Sequence, residues 1–188
     1  MERFTTICAT VAALTCGSFV LGAAEQSQSL NNFQEVSGSL CRGAQPSDDG
    51  FRELAKLGVH TVLDLRGSGG RSSKEAQELR ALGMNYVNIP LDGFLAPTPE
   101  QVSKIFAVLN DGSAGKIFVH CRRGADRTGT VLAMYRIEHD HWTNQKALDE
   151  AKSMKMAAAE RLMQKFVLGF KPLPAMAAAT AAPAAPAN

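Results

Sequence analysis

Between residues 33 and 170 the apolar positions change period again and again, short β-branched runs giving way to stretches of helical spacing. Phe33–Val36 and Ser39–Arg42 read as two short strands around the turn Ser37-Gly38. Ser47 caps a helix running to about Leu57, with Asp48 and Asp49 in its first turn and Gly58 closing it. Val59–Leu65 is rich in β-branched residues and reads as a strand. Ser72 and Glu75 have the spacing of a capping box, so a helix is expected from there to Gly83. Met84–Ile89 is the next strand, stopped by Pro90. Thr98, Pro99 and Gln101 combine an N-cap, a proline at the first helical position and a capping box. Lys116–His120 is a short buried strand, followed by helices over about 128–140, 144–154 and 159–169.

Strands alternate with helices through the middle of the chain, and helices gather at its end. The expected fold is a single α/β domain with a central, mostly parallel sheet flanked by helices. Ligands of such folds lie beyond the carboxyl ends of the strands. The loops after Leu65, Ile89 and His120 are therefore expected to face one site. The domain occupies residues 25–170. Before it, Arg3, the uncharged run Phe4–Leu21 and the small residues Gly22, Ala23 and Ala24 have the layout of a secretory signal peptide over residues 1–24. The expectation is an exported protein, periplasmic or secreted, cleaved after Ala24 and not inserted in the membrane afterwards. The alternative is a membrane anchor over residues 4–21. After the domain, residues 171–188 are rich in alanine, with Pro172, Pro174, Pro183 and Pro186 preventing a helix; they read as a disordered Ala/Pro tail.

Composition narrows the function more than the fold. Hydrophobic residues at 45% and charged residues at 20% are ordinary for a globular domain and exclude a disordered chain or a polytopic membrane protein. A formal net charge of +2 gives no footprint for nucleic acid. Four cysteines, two of them inside the leader, do not make a disulfide scaffold.

The chemistry concentrates in Cys121-Arg122-Arg123-Gly124-Ala125-Asp126-Arg127-Thr128-Gly129, set between a buried strand and a helix. A tight loop of this length can turn successive backbone N–H groups inward as a nest for an anion. The helix start adds free N–H groups and the positive end of its dipole. Arg127 adds a planar fork that fits two phosphate oxygens. The same field favours the thiolate of Cys121, a nucleophile aimed at whatever phosphate the loop holds.

These residues resemble the His-Cys-x5-Arg-Thr-Gly signature of cysteine-dependent protein tyrosine and dual-specificity phosphatases, here His120 to Gly129. Cys41-Arg42-Gly43-Ala44-Gln45-Pro46, Thr61–Arg66 and Ile89–Asp92 also resemble segments of the compact atypical dual-specificity phosphatases, so the likeness covers about residues 33–155. It implies a dual-specificity-phosphatase-like fold and a two-step reaction through a cysteinyl-phosphate, with no metal or other cofactor. Cys121 is then the nucleophile and Arg127 the phosphate clamp. Arg122, Arg123, Gly124, Ala125 and Asp126 complete the phosphate-binding loop. Thr128 helps the thiolate leave, and His120 orients the loop. The implied substrate is a phosphorylated protein, with a phosphoinositide or inositol phosphate as the alternative. A catalytically inactive phosphate-binding module is a further alternative. A sulfurtransferase or arsenate reductase fits the Arg-Thr-Gly ending less well.

The general acid has two candidates. Asp92 stands in Leu-Asp-Gly-Phe after the strand that ends at Ile89, with Gly93 beside it as a hinge. Asp126 lies inside the loop itself. The setting favours Asp92. Arg122 and Arg123 read either as reporters of a second phosphate or as a solvated rim, and the glycine-rich loop Gly67–Arg71 reads as a flexible connector, with a substrate contact at Arg71 as the alternative. Asp64 and Arg66 read as a structural pair, and His139, Asp140 and His141 as an exposed helix end. Cys41 is a core residue, unless it lies within about 7 Å of Cys121, where a protective disulfide becomes available.

Overall fold

A computed structural model describes residues 29–172. The leader expected over residues 1–24 and the tail beyond residue 172 lie outside them. The elements run β1 Gln34–Ser37, β2 Leu40–Ala44, α1 Asp48–Lys56, β3 Val59–Asp64, α2 Gly70–Ala81, β4 Asn85–Asn88, α3 Pro99–Leu109, β5 Lys116–Cys121, α4 Asp126–His139, α5 Asn144–Ser153 and α6 Arg161–Gly169, with a 3-10 turn at Gly112–Ala114.

The five strands form one sheet in the order β1-β2-β5-β3-β4. Only β1 and β2 pair antiparallel; β2, β5, β3 and β4 run parallel, as the alternation of strands and helices predicts. Because β5 lies between β2 and β3, its side chains are covered on both faces. Ile117, Val119 and Cys121 face the core shared with α3, α4, α5 and α6, while Phe118 points into the core with α1 and α2. That two-sided burial is why β5 reads as a continuous apolar run rather than an alternating one. Helix α4 follows directly and is itself enclosed: nine of its 14 residues are buried, including Val131, Leu132, Ala133 and Met134 in succession. A strand and a helix both locked in the core give the loop between them two immobile ends.

Local signals place most boundaries. Ser47 accepts from the Gly50 N–H at 3.2 Å, and both halves of the Thr98–Gln101 capping box are formed. Two expectations need correction. The Ser72–Glu75 pair does not open α2: the helix starts at Gly70, Ser72 donates to the Gly67 carbonyl at 2.9 Å, and Glu75 turns into the protein. A buried cation and a histidine recruit that carboxylate more strongly than a solvent-facing cap would. Helix α4 starts at Asp126 rather than Thr128, so Arg127 and Thr128 stand in its first turn. The helix end at His139–His141 is exposed, with Asp140 held by Arg136 at 2.6 Å.

Candidate active site

The carboxyl ends of β3 and β5 and the start of α4 meet at one edge of the sheet, and the loop Arg122–Ala125 closes the step from β5 to α4. Its backbone orientation follows from where its carbonyls are tied. The Arg122 carbonyl accepts from the Gln45 N–H at 3.3 Å. Asn32 Nδ2 donates to the Arg123 carbonyl at 3.4 Å and to the Gly124 carbonyl at 2.9 Å. Arg42 Nη2 donates to the same Gly124 carbonyl at 2.6 Å. In a trans peptide the C=O and the following N–H point in opposite directions, and no peptide among the described residues is cis. Three carbonyls drawn toward the β1–β2 side therefore turn the N–H groups of Arg123, Gly124 and Ala125 to the other side, into the loop. The first α-helical bond of α4 runs from Gly129 N–H to the Ala125 carbonyl, and Ala125 provides no side-chain cap. The N–H groups of Asp126, Arg127 and Thr128 are thus left for an anion as well.

Gly124 makes the turn possible. Its φ is +64°, and a Cβ there would lie 2.2 to 2.4 Å from the backbone of Gly43 and Ala44. No side chain fits between the loop and β2.

Cys121 is 2% exposed at the end of β5, on the α4 side of the sheet. Arg127 is half-buried, and its Nη1 donates to the Leu65 carbonyl at 3.4 Å, which sets the guanidinium under the β3 loop. Thr128 is fully buried, and its Oγ1 has no hydrogen-bond partner among the described residues. Arg122 and Arg123 are exposed. Arg123 pairs with Asp126 at 2.6 Å, and the other Asp126 oxygen accepts from the Ala157 N–H at 2.9 Å. Both carboxylate oxygens of Asp126 are thereby engaged. Asp92 is exposed in the loop between β4 and α3, where its Oδ1 accepts from the N–H groups of Phe94 at 2.7 Å and Leu95 at 2.9 Å. Those two bonds, with the charge of Arg127 adding to them, hold its carboxyl below the ordinary range. The loops after β3, β4 and β5 do converge on one edge.

Beneath the loop lies a buried polar cluster that the sequence pattern shows only in part. Asp64 and Arg66 pair as expected: Arg66 Nε donates to Oδ1 at 2.8 Å and Nη2 to Oδ2 at 2.7 Å. Arg66 also pairs with Glu75 and Gln45. His120 Nε2 lies 2.8 Å from Glu75 Oε1, and its Nδ1 lies 3.2 Å from the Cys121 carbonyl. Tyr86 donates to Asp64 at 2.8 Å. Asp64, Glu75 and His120 offer metal-type ligand atoms within 4.8 Å of one another, but the cation against both carboxylates is Arg66 itself. Arg42, Glu75 and Asn32 are the functional neighbours that sequence reading missed. Glu75 carried a misleading helix signal, and Arg42 stands in a strand where only packing reveals its role.

Cys41 is packing. It pairs with Phe118 in the β2–β5 ladder, three positions from Cys121, and belongs to the opposite core. Three residues of strand span about 10 Å, beyond the reach of a disulfide. Burial pushes its thiol up to about 12, and Sγ donates to the Ile117 carbonyl at 3.4 Å.

Residues 12–168 match the family model described as "DSP-PTPase phosphatase fused to NAD+ Kinase". Among curated proteins, the probable chloroplastic NAD kinase 2 of Oryza sativa subsp. japonica is 27% identical over 106 residues, which is 54% of this chain and 11% of that protein. The dual specificity protein phosphatase 26 of Homo sapiens is 30% identical over 125 residues, 65% of this chain and 59% of that one. The dual specificity protein phosphatase TpbA of Pseudomonas aeruginosa is 29% identical over 119 residues, 63% and 52% of the two chains. The chain thus spans about a tenth of the kinase and between half and three-fifths of the phosphatases. In three dimensions it resembles the core catalytic domain of the PP-IP phosphatase SIW14 from S. cerevisiae, with a TM-score of 0.68 and 22% identity over 76% of this chain and 87% of that one. It also resembles P. aeruginosa TpbA, with a TM-score of 0.65 and 23% identity over 77% and 92%. At these identities the structural likeness concerns the fold.

The buried cluster makes acid stability testable. Burial alone raises the Asp64 carboxyl, but the Arg66 hydrogen bonds, the His120 charge and Tyr86 outweigh it and leave it lowered. A lowered carboxyl stabilises the fold fully above its unfolded value of about 3.9, and that stability is lost as pH falls through the lower folded value. Asp64→Asn should therefore be less stable than wild type at pH 7, with the gap in urea midpoint closing between about pH 5 and 2. A gap that does not change with pH refutes the assignment.

Proposed function

We propose, since the chain belongs to the DSP-PTPase phosphatase family, that it hydrolyses phosphomonoesters through a cysteinyl-phosphate on Cys121. The observation that carries this reading is the loop's orientation: three carbonyls tied outward, their N–H groups turned inward, and a buried cysteine at the strand end. In the first step Cys121 Sγ attacks phosphorus in line, the S–P bond forms, and the P–O bond to the leaving group breaks. Arg127 and the loop N–H groups hold the non-bridging oxygens, whose charge spreads in the transition state. In the second step water attacks phosphorus and passes a proton to the carboxylate that protonated the leaving group, the S–P bond breaks and phosphate leaves. The unpartnered Thr128 hydroxyl is free to donate to the departing sulfur. His120, held by Glu75, orients the loop from beneath.

Asp92 is the general acid in this reading. Asp126 already has both oxygens committed, to Arg123 and to the Ala157 N–H. Among the described residues, Asp92 is hydrogen-bonded only within its own exposed loop. To donate a proton it leaves the Phe94 and Leu95 N–H groups, whose bonds favour the carboxylate, and enters the drier space over Cys121.

The substrate we favour is a phosphorylated protein, phosphotyrosine first. A second reading, an inositol phosphate or phosphoinositide, has its own support. A cavity of about 360 Å³ beside the loop is lined by Arg66, Arg71, Arg122 and Arg127 with Gly67–Gly70, and no carboxylate lines it. Arg66 is neutralised below by Asp64 and Glu75, and Arg127 holds the reacting phosphate, which leaves Arg71 and Arg122 for a second one. We further propose that the protein works outside the cytoplasm after loss of residues 1–24.

Cys121→Ser should lower turnover of para-nitrophenyl phosphate at least about a thousandfold while inorganic phosphate still binds. Phosphate binding by wild type without any turnover would instead mark an inactive phosphate-binding module. Phosphotyrosine peptides assayed beside inositol phosphates decide between the two substrate classes by kcat/KM.

Asp92→Asn should slow phenyl phosphate by about a hundredfold and para-nitrophenyl phosphate far less, because only the poorer leaving group needs the proton. The same pattern in Asp126→Asn, absent from Asp92→Asn, reverses the assignment. Intact-mass measurement on protein from its native host should find a chain beginning near Glu25; a full-length cytosolic species refutes export.

A further inference from the structure

Arg42 sits in the middle of β2, opposite Val119 of β5, and is one of the largest side chains fully buried among the described residues. A strand this enclosed ordinarily carries an apolar residue there. The guanidinium has five N–H donors. The hydrogen bond it makes is from Nη2 to the Gly124 carbonyl, while Nε and Nη1 have no partner among the described residues. Among the described residues, no carboxylate is dedicated to it. Glu150 acts on it from α5, but both Glu150 oxygens are taken by Arg136 of α4, at 2.9 and 3.0 Å. Arg136 acts on it with the opposite sign. Cys121 also acts on Arg42, in the direction that favours the guanidinium cation. Burial lowers the Arg42 pKa only to about 10, so it stays cationic at neutral pH.

The geometry agrees. Side chains two apart on a strand share a face, so Leu40 and Arg42 lie on the α4 side of the sheet, as do Ile117, Val119 and Cys121. Arg127, Asp126 and Thr128 approach the loop from α4, Arg122 and Arg123 belong to the loop itself, Asp92 lies toward Arg127, and His120 stands on the opposite face of β5. Arg42 approaches from the β2 side, behind the loop.

We infer that Arg42, on the cysteinyl-phosphate reading above, is a positioning residue: it fixes the Gly124–Ala125 peptide so that the Ala125 N–H faces the bound phosphoryl group, and it is the buried counter-charge for the anion in the loop. That anion is the Cys121 thiolate before reaction and the phosphoryl group during it. Asn32 shares the first task, through its own bond to the Gly124 carbonyl, but brings no charge. The missing Cβ of Gly124 lets the loop lie against the Gly43 backbone, next to Arg42 on β2, and the guanidinium meets the Gly124 carbonyl at 2.6 Å.

The test compares wild type with Arg42→Met, Arg42→Lys and Asn32→Gly, the last chosen because Asn32 has a φ of 53° that glycine accepts. Folding is checked by circular dichroism. Inorganic phosphate affinity is measured by calorimetry, and alkylation of Cys121 by iodoacetamide is followed by mass spectrometry across pH. Arg42→Met should weaken phosphate about tenfold or more, and should move the alkylation curve up by about one pH unit. The sign follows from charge: without the buried cation, thiolate forms only at higher pH. Arg42→Lys should keep the curve within a few tenths of a unit and lose phosphate affinity about threefold. Asn32→Gly should leave the curve in place and weaken phosphate. A folded Arg42→Met with both readouts at wild-type values overturns the inference. If Arg42→Met does not fold, Arg42→Lys decides, and unchanged phosphate affinity there overturns it. Failure of the cysteinyl-phosphate reading is a separate result, retained turnover in Cys121→Ser, whatever the Arg42 variants do.

Discussion

An inward-facing row of N–H groups demands an outward-facing row of carbonyls, and buried carbonyls demand donors. That covalent constraint organises the molecule around residues 121–128. The donors come from segments distant in sequence: Asn32 before β1, Arg42 on β2 and Gln45 just after it. The N-terminal hairpin is therefore more than a sheet extension. It grips the back of the loop, and the close approach of Gly43 to Gly124 leaves no slack in that grip. A preformed anion site of this kind needs little reorganisation when charge builds up in it.

Under the loop, the cluster of Arg66, Asp64, Glu75, His120, Gln45 and Tyr86 ties β3, β4, β5, α2 and the segment after β2 to one another. Buried ion pairs add little net stability, and breaking one by removing a partner costs about 3–5 kcal/mol. Their effect here is geometric. His120 is clamped by Glu75, and Glu75 is clamped by Arg66, so the residue preceding Cys121 has one orientation. Sealed hydrogen-bond networks of this kind define a unique arrangement where apolar packing alone tolerates several.

The rigid cradle faces a segment of different character. The loop carrying Asp92 exposes Phe94 at 75% and Leu95 at 54%, and its internal bonds are local ones that Asp92 accepts from the Phe94 and Leu95 N–H groups. Such a segment moves at low cost, while the groups of the cradle beside it do not. Rigidity and freedom are divided between two loops of one sheet edge.

The residues by themselves determined a good deal. Short-range rules act within a few positions, so the strand–helix alternation, the caps at Ser47 and Thr98 and the strand–loop–helix setting of Cys121 were legible in one dimension. The reading of Cys121–Gly129 as an anion loop also came from one dimension, because its residues are nine in a row. What only the tertiary structure decided is where polar side chains go once buried. Ser72 and Glu75 have the spacing of a cap, but burial beside Arg66 and His120 outweighs a bond available at the surface. Arg42 and Cys41 are neighbours in sequence, yet the pleat sends one behind the loop Arg122–Ala125 and the other into the opposite core, out of reach of Cys121. Strand pairing brings Asn32 and Arg42 to Gly124 across about ninety and eighty residues. No local pattern encodes that meeting, because the carbonyl that attracts them exists as a buried acceptor only after the sheet has formed.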